Sequence, residues 1–471
     1  MADAPMLRVR EIELYERPVV LRLPFRFGVV TLRQCPQAFV RARIETVDGR
    51  SQWGAAAEMM APKWFDKDLQ LSNEDNFDQL RDVLRLARDA YLGDATPSSA
   101  FGHFARHHDR HLAAAAAKGY NPLLASYGPA LVDRAVLDAL CRRHGVAFAA
   151  AMQVNLPGVG SERPEFAAFD FDRFLGGLQP SETIEARHTV GMLDAITAAG
   201  PAERVGDGLP ETLEEVISAW GHRYFKLKVG GQIEPDLARL EAIAAVLDRL
   251  PDPYFASLDG NEQYSDAQGL AELVAGIRAR PALARLWNSI LFIEQPIARK
   301  LALDTDLRQA RLGKPVIIDE SDGELNTFAR ARERGYLGVS SKTCKGVYKS
   351  LLNAARCARW NDEEGAARYF MSAEDLTTQA GLSVQQDLAL VSLLGIAHVE
   401  RNGHYYVNGM AAQPAAEQDA FLAAHPDLYE RSHGAVRLRI QQGRLAIGSL
   451  QCSGFASAAM PDFAAMRSLP D

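Results

Sequence analysis

"HRYFKLKVGG", residues 222–231, sets two lysines, Lys226 and Lys228, one residue apart in a run of Tyr, Phe, Leu and Val. The run reads as a buried strand, and alternate side chains of a strand share a face. Both ammonium groups therefore point one way, while Phe225, Leu227 and Val229 fit the face turned to a helix layer. Strand-like runs recur around it: "IEARHTVG" before, then "YFASLDGN", "ILFIEQPI", "PVIIDES", "LGVSSKTCKG", "RYFMSAED" and "IAHVERN". Helical segments such as "DLARLEAIAAVLDRL" and "SLLNAARCARW" separate them. Strand alternating with helix predicts a parallel sheet. Eight strands in one run, residues 181–410, fit a closed (β/α)8 barrel better than an open sheet.

Outside that run the texture changes. Residues 7 to about 60 alternate as strands, with a turn signal at Asp48-Gly49. "NFDQLRDVLRLARDAYL" and "PALVDRAVLDALCRRHG" carry helical spacing, the second closing on Gly145. Residues 1–150 are thus expected to form an α+β capping domain, and the Pro-, Gly- and Phe-rich 151–180 a linker or lid. In the last segment, 411–471, "AVRLRIQQGRLAIGSL" reads as a hairpin returning to complete the N-terminal unit. The glycine-rich "GVGSER" near 158 follows no convincing strand and opens no helix, which argues against a dinucleotide fold.

The net charge of −8 argues against a nucleic-acid partner. No run of 18 apolar residues suggests a membrane span, and the opening residues show no apolar signal core. The cysteines, 35, 141, 344, 357 and 452, are scattered and without CxxC spacing. That pattern suits free thiols in a reducing cytoplasm rather than a thiolate metal site.

In such a barrel the chemistry sits where strands run out into the following loops. Reading each strand to its end gives Lys226 and Lys228 on the second, Asp259 on the third and Glu294 on the fourth. Asp319 and Glu320 end the fifth, Lys342 the sixth, Glu374 the seventh and Glu400 the eighth. Asp259, Glu294 and Asp319 offer hard oxygen donors suited to Mg²⁺, with Mn²⁺ as the alternative ion. Such an ion stabilises a developing enolate when a substrate carboxylate binds it. Crowding of two ammonium groups, together with burial, is expected to lower a lysine toward neutrality and make it a base. Lys342 would approach from the side opposite the second strand; Lys345, three residues on, competes for that role.

These residues at these spacings resemble the enolase superfamily, nearest its muconate lactonizing enzyme and dipeptide epimerase subgroup (the mandelate racemase/muconate lactonizing enzyme family). The resemblance spans nearly the whole chain. "LPFRFG" at 23–28 is similar to the mobile loop that caps the site, "FKLKVGG" to the lysine pair, and "LDGN", "FIEQPI" and "IIDES" to the metal-ligand strands. "SKTCKG" is similar to the sixth-strand lysine segment, and "AIGSLQCSGF" to the C-terminal return. The resemblance implies Asp259, Glu294 and Asp319 as Mg²⁺ ligands, with Lys228 and Lys342 as bases or cationic partners on two faces. Lys226 would tune Lys228 and contact the substrate carboxylate, and Asn261 and Glu320 would orient the ligands. It also implies a small-molecule carboxylate substrate, a homo-oligomer, and proton abstraction alpha to the carboxylate. Racemisation, epimerisation or cycloisomerisation would follow. A dehydratase or lyase performing β-elimination, or an inert barrel serving as a binding protein, are the alternatives.

The sequence departs from the family pattern in places. The 35 residues from Asp259 to Glu294 exceed the 25 from Glu294 to Asp319, so "PALARLWNS" reads as an insertion. Gly346-Val347 stands where Gly-Gly is usual. Glu374 and Asp375 occupy the seventh strand, where some relatives carry a histidine base, which counts against a His-Asp dyad. His188 and His398 read as interior groups, not ligands. Trp53, Trp64 and Phe65 are candidates for a capping loop, and Arg22, Arg26, Arg33, Glu58 and Lys63 fall in the loops expected to set specificity, about 22–32 and 53–68.

Overall fold

Three long antiparallel strands open the chain: β1 (Leu7–Phe27), β2 (Val30–Thr46) and β3 (Ser51–Met59), as seen in a computed structural model describing residues 4–27, 30–160, 164–199 and 203–469. The buried side chains of β1 run Leu7 and Val9, then Ile12 and Leu14. That change of parity follows from a register shift between Val9 and Glu11, since one extra residue turns the next side chains to the other face. Gly49, at φ 79°, makes the β2–β3 turn that Asp48-Gly49 announces.

Helices α1 (Asn73–Leu92), α2 (Ala100–Ala116) and α3 (Pro122–His144) cover this sheet. Ser72 and Asp75 form a reciprocal capping box at the start of α1. Helix α3 begins at Pro122 under an Asn121 cap, seven residues before the stretch whose spacing suggests it. Gly145 closes it at φ 65°.

The barrel strands are β4 (Thr183–Val190), β5 (Tyr224–Lys228), β6 (Phe255–Asp259), β7 (Ile290–Glu294), β8 (Val316–Ile318), β9 (Gly338–Ser341), β10 (Phe370–Ala373) and β11 (His398–Arg401). They pair in parallel in the order β10-β9-β8-β7-β6-β5-β4-β11, an all but closed eight-stranded barrel wrapped by helices. At the remaining seam, the Asp375 backbone donates to Glu400 (2.9 Å) and the Asn402 backbone donates to Asp375 (2.8 Å). Phe225 and Leu227 pack outward into an apolar layer with Leu237, Leu240 and Ile243 of the next helix. The suggested insertion forms the short helix Ala284–Ser289 before β7. Residues 151–180 hold the short helix Phe171–Gly176 and a packed cluster of Phe166, Phe169, Phe171 and Phe174.

The C-terminal segment corrects one expectation. β12 (Tyr429–Ser432) and β13 (Ala435–Leu438) pair with each other, and β14 (Arg444–Ala446) joins the barrel antiparallel to β4. The return to the N-terminal sheet comes later, in β15 (Arg467–Ser468), which pairs with Tyr15 and Glu16 of β1. A short polar strand reads weakly against a long apolar one, so the hairpin drew the assignment. Among the described residues all five cysteines are free thiols, and no helix is long and apolar enough to cross a membrane.

Candidate active site

The C-terminal ends of the barrel strands gather charge. Because β5 and β6 are in register, Lys228 lies beside Asp259, and Asp259 in turn lies beside Glu294 of β7. Lys226 donates to Glu294 (2.8 Å), Glu374 (2.7 Å) and Glu400 (2.9 Å) and lies 2.9 Å from an Asp259 oxygen. Lys228 donates to Asp259 at 2.6 Å. Across the barrel, Lys342 donates to Asp319 at 2.7 Å and rests 4.2 Å from the centre of the Trp64 ring. Lys345 instead turns to the Ser340 carbonyl and hydroxyl, both at 2.8 Å, with Asp319 at 3.3 Å. Asn261 donates to Glu320 at 3.1 Å. All of these side chains are buried.

Burial alone would discharge such groups; their neighbours decide otherwise. Against the cost of burial, Lys226 and Lys228 hold Asp259 below its ordinary value, and Lys342 and Lys345 hold Asp319 well below its own. Glu400 is likewise held well down, by Lys226, Lys228 and Lys342. Glu294 goes the other way: burial, then the Asp259 and Glu374 carboxylates, push it well up. Glu320 is pushed up to about 7 by burial and by Asp319. Two of the lysines are held in the charged form. Lys226 is raised well above its ordinary value despite burial, because four carboxylates surround it, and Asp319 raises Lys342 in the same way. Counting ammonium neighbours on one strand leaves out the anions that the other strands bring.

A cleft opens over this array, walled by Lys226, Lys228, Asp259, Asn261, Lys342 and Glu400 from the predicted set. Glu294, Asp319, Glu320, Glu374 and Lys345 are not at its wall and contact the residues that are, or one another. Phe25, Ala61 and Trp64 of the N-terminal domain close the cleft, with Asp375, Leu376, Thr377 and Asn402 beyond the last two strands. Of "LPFRFG", residues 23–27 belong to the end of β1, and Gly28 lies outside the described residues, as do 29 and 161–163, the last part of "GVGSER". Trp53 stacks on Arg41 in the sheet, and Phe65 packs on Trp64 and Tyr127. Arg22 is tied to Asp207, Lys63 to the Asp68 and Leu71 carbonyls, and Glu58 to Arg134 and Thr343, so none of the three lines the cleft; Arg26 and Arg33 are exposed.

Two residues carry more than their sequence suggested. Gln295 sits at φ 33°, a strained backbone for a residue with a Cβ. Its carboxamide holds the next strand end by accepting from the Asp319 and Ser321 backbones (2.8 and 3.0 Å). Arg187, on β4 and facing inward, pairs with Glu374 beneath Lys226. It lies two residues from Thr189 on the inward face of a strand that also carries Glu185 and His188, so no clear signal marked it in the sequence. Asn402, two residues past Glu400, could have been found by carrying the strand period one step beyond its end.

The donors whose chemistry suits a divalent cation are Asp259, Glu294 and Asp319: hard, buried oxygens ending three adjacent strands, with Glu294 pushed up by burial and by its fellow carboxylates. Among the described residues this trio is not one of the groups whose ligand atoms lie within 4.8 Å of one another. Lys226 stands between Asp259 and Glu294, and Lys342 holds Asp319.

A family model described as enolase C-terminal domain-like matches residues 208–447, half of the chain. The chain belongs to the enolase superfamily. Superfamily members of known structure share its fold at low identity. A dipeptide epimerase from Enterococcus faecalis V583, complexed with Mg and the dipeptide L-Leu-L-Tyr, is 13% identical with a TM-score of 0.60, covering 95% of this chain and 99% of its own. A putative mandelate racemase/muconate lactonizing enzyme from Sorangium cellulosum is 20% identical, with a TM-score of 0.58 over 96% and 99% of the two chains. A superfamily member from Roseovarius nubinhibens ISM, complexed with magnesium, is 17% identical, with a TM-score of 0.58 over 98% and 99%. No curated protein matches the sequence.

Proposed function

We propose that this superfamily member is a Mg²⁺-dependent enzyme that removes a proton alpha to the carboxylate of a small molecule and returns one, giving epimerisation or racemisation. The observation that carries the reading is the placement of Lys228 and Lys342 at the wall of one cleft, on the second and sixth of eight strands, hence on opposite sides. Asp259, Glu294 and Asp319 would hold the ion, which supplies Lewis-acid stabilisation of charge developing on the substrate carboxylate. Lys228 takes the proton from one face of the alpha carbon. Lys342, kept protonated by Asp319 and lying against the Trp64 ring, delivers one to the other face. Lys226 fixes the ends of four strands by binding their carboxylates at once. Phe25 and Trp64 exclude water from above, which strengthens each of these charge interactions.

Incubation with dipeptides, N-acyl amino acids and hydroxy acids in D₂O with Mg²⁺ tests the proposal. The expected outcome is deuterium at the alpha carbon and loss of configuration. Lys228→Ala should lower exchange by about 10²- to 10⁴-fold, the usual worth of a positioned acid–base group. A keto or unsaturated product would replace epimerisation by elimination. Calorimetry that finds no Mg²⁺ binding to the chelator-treated protein would remove the metal from the scheme.

A further inference from the structure

We propose that His188, His222 and His404 form a second metal site, for a transition-metal dication of the zinc class, outside the barrel wall. The three come from distant parts of the chain: the middle of β4, the approach to β5, and the short helix Gly403–Tyr406 after β11. On β4 the neighbours Arg187 and Thr189 bond to Glu374 and Glu400 inside the barrel. Strand alternation therefore turns His188 outward, toward the helix layer. There one ring nitrogen from each histidine lies within 4.8 Å of those of the other two.

The bonding of the rings points to a ligand. His188 Nδ1, His222 Nε2 and both nitrogens of His404 are buried without a hydrogen-bond partner. A buried polar atom left unpaired is destabilising, and folded proteins rarely tolerate several together. His222 Nδ1 lies 2.8 Å from the Ala186 carbonyl. A carbonyl only accepts, so Nδ1 carries the hydrogen and Nε2 presents a lone pair, the usual arrangement of a histidine that binds metal. Burial holds all three imidazoles below their ordinary values, hence in the neutral, ligating form. Arg401 lies near His404, but Asp375 (3.5 Å) and Asp387 take up its charge.

Imidazole is a borderline ligand that selects zinc-class ions over Mg²⁺. A tetrahedral ion takes bonds of about 2.0–2.1 Å to three imidazoles and leaves a fourth position for water. Trp220 (4.8 Å between centroids, to His404) and Tyr405 (5.1 Å, to His188) wall the cluster. An ion there would staple β4 to the segments that precede β5 and follow β11. The other close-set group among the described residues, Asp94, His103 and His107, is already engaged: Arg106 holds Asp94 and the Leu7 carbonyl pairs with His103.

Co²⁺ added to the chelator-treated full chain in excess Mg²⁺ reads the site directly. The expected result is the intense visible band of four-coordinate Co²⁺, bleached by one equivalent of Zn²⁺, and a higher melting temperature with Zn²⁺ bound. His222→Gln and His404→Gln should lose the band and at least about tenfold in affinity, while Asp94→Asn keeps both. X-ray absorption of the Zn²⁺-loaded wild type should count three imidazoles, a result independent of how the variants fold. A wild type without the band, a band that both histidine variants retain, or a zinc shell lacking imidazole would each overturn the proposal.

Discussion

Lys226 brings one positive charge to four carboxylates, and removing it leaves Asp259, Glu294, Glu374 and Glu400 facing one another in a dry interior. Breaking a buried pair leaves an uncompensated charge at about 3–5 kcal/mol, so Lys226→Met should lower the melting temperature sharply at neutral pH. Asp133 is the opposite case. Its side chain accepts from the Tyr91 hydroxyl (2.5 Å), and burial pushes it up to about 7. The folded protein thus holds that proton more tightly than the unfolded chain, so stability should fall as pH rises from about 4 to about 7. Asp133→Asn should flatten that part of the melting-temperature profile. At this scale the facing of Lys226 and Lys228 was legible from a period of two. The choice between Lys342 and Lys345 was not, because both end the same strand and their ammonium groups part only in three dimensions, one to the cleft and one to Ser340.

Elements followed from pattern where one face is apolar, as in β5 with Phe225 and Leu227. Packing between elements was less visible. Gly54 of β3 lies so close to α3 that a Cβ there would meet the Ala139 nitrogen at 2.2 Å and the Ala135 carbonyl oxygen at 2.3 Å. Gly54→Ala should therefore cost at least about 3 kcal/mol in urea unfolding, the upper range for an overpacked core. Gly49→Ala, strained at φ 79° but in open space, should cost about 1–2 kcal/mol. Asp48 marks Gly49 as a turn in the sequence, whereas only the packing of α3 shows why Gly54 must lack a side chain. For the same reason the C-terminal hairpin was joined to the wrong sheet: β14 pairs with β4 through backbone groups, which carry no mark of their partner in the sequence.

Across the whole molecule, the N-terminal sheet is fastened to the C-terminal segment by the buried pair Arg17–Glu417, bonded at 2.9 and 2.7 Å. Arg17→Ala should cost about 3–5 kcal/mol and respond little to salt, since the pair is shielded from solvent; denaturation at two ionic strengths measures both. That fastening matters because the cleft is built from both parts, with Phe25 and Trp64 from one and the strand-end charges from the other. The sequence by itself determined the barrel, the order of its strands and the inward charges, because those depend on local periodicity and on a fold whose strand ends share one rim. Only the tertiary structure decided which anions surround each lysine, which residues close the cleft, and that His188 meets His222 and His404. Those are contacts between distant segments, fixed by packing, which no local pattern encodes.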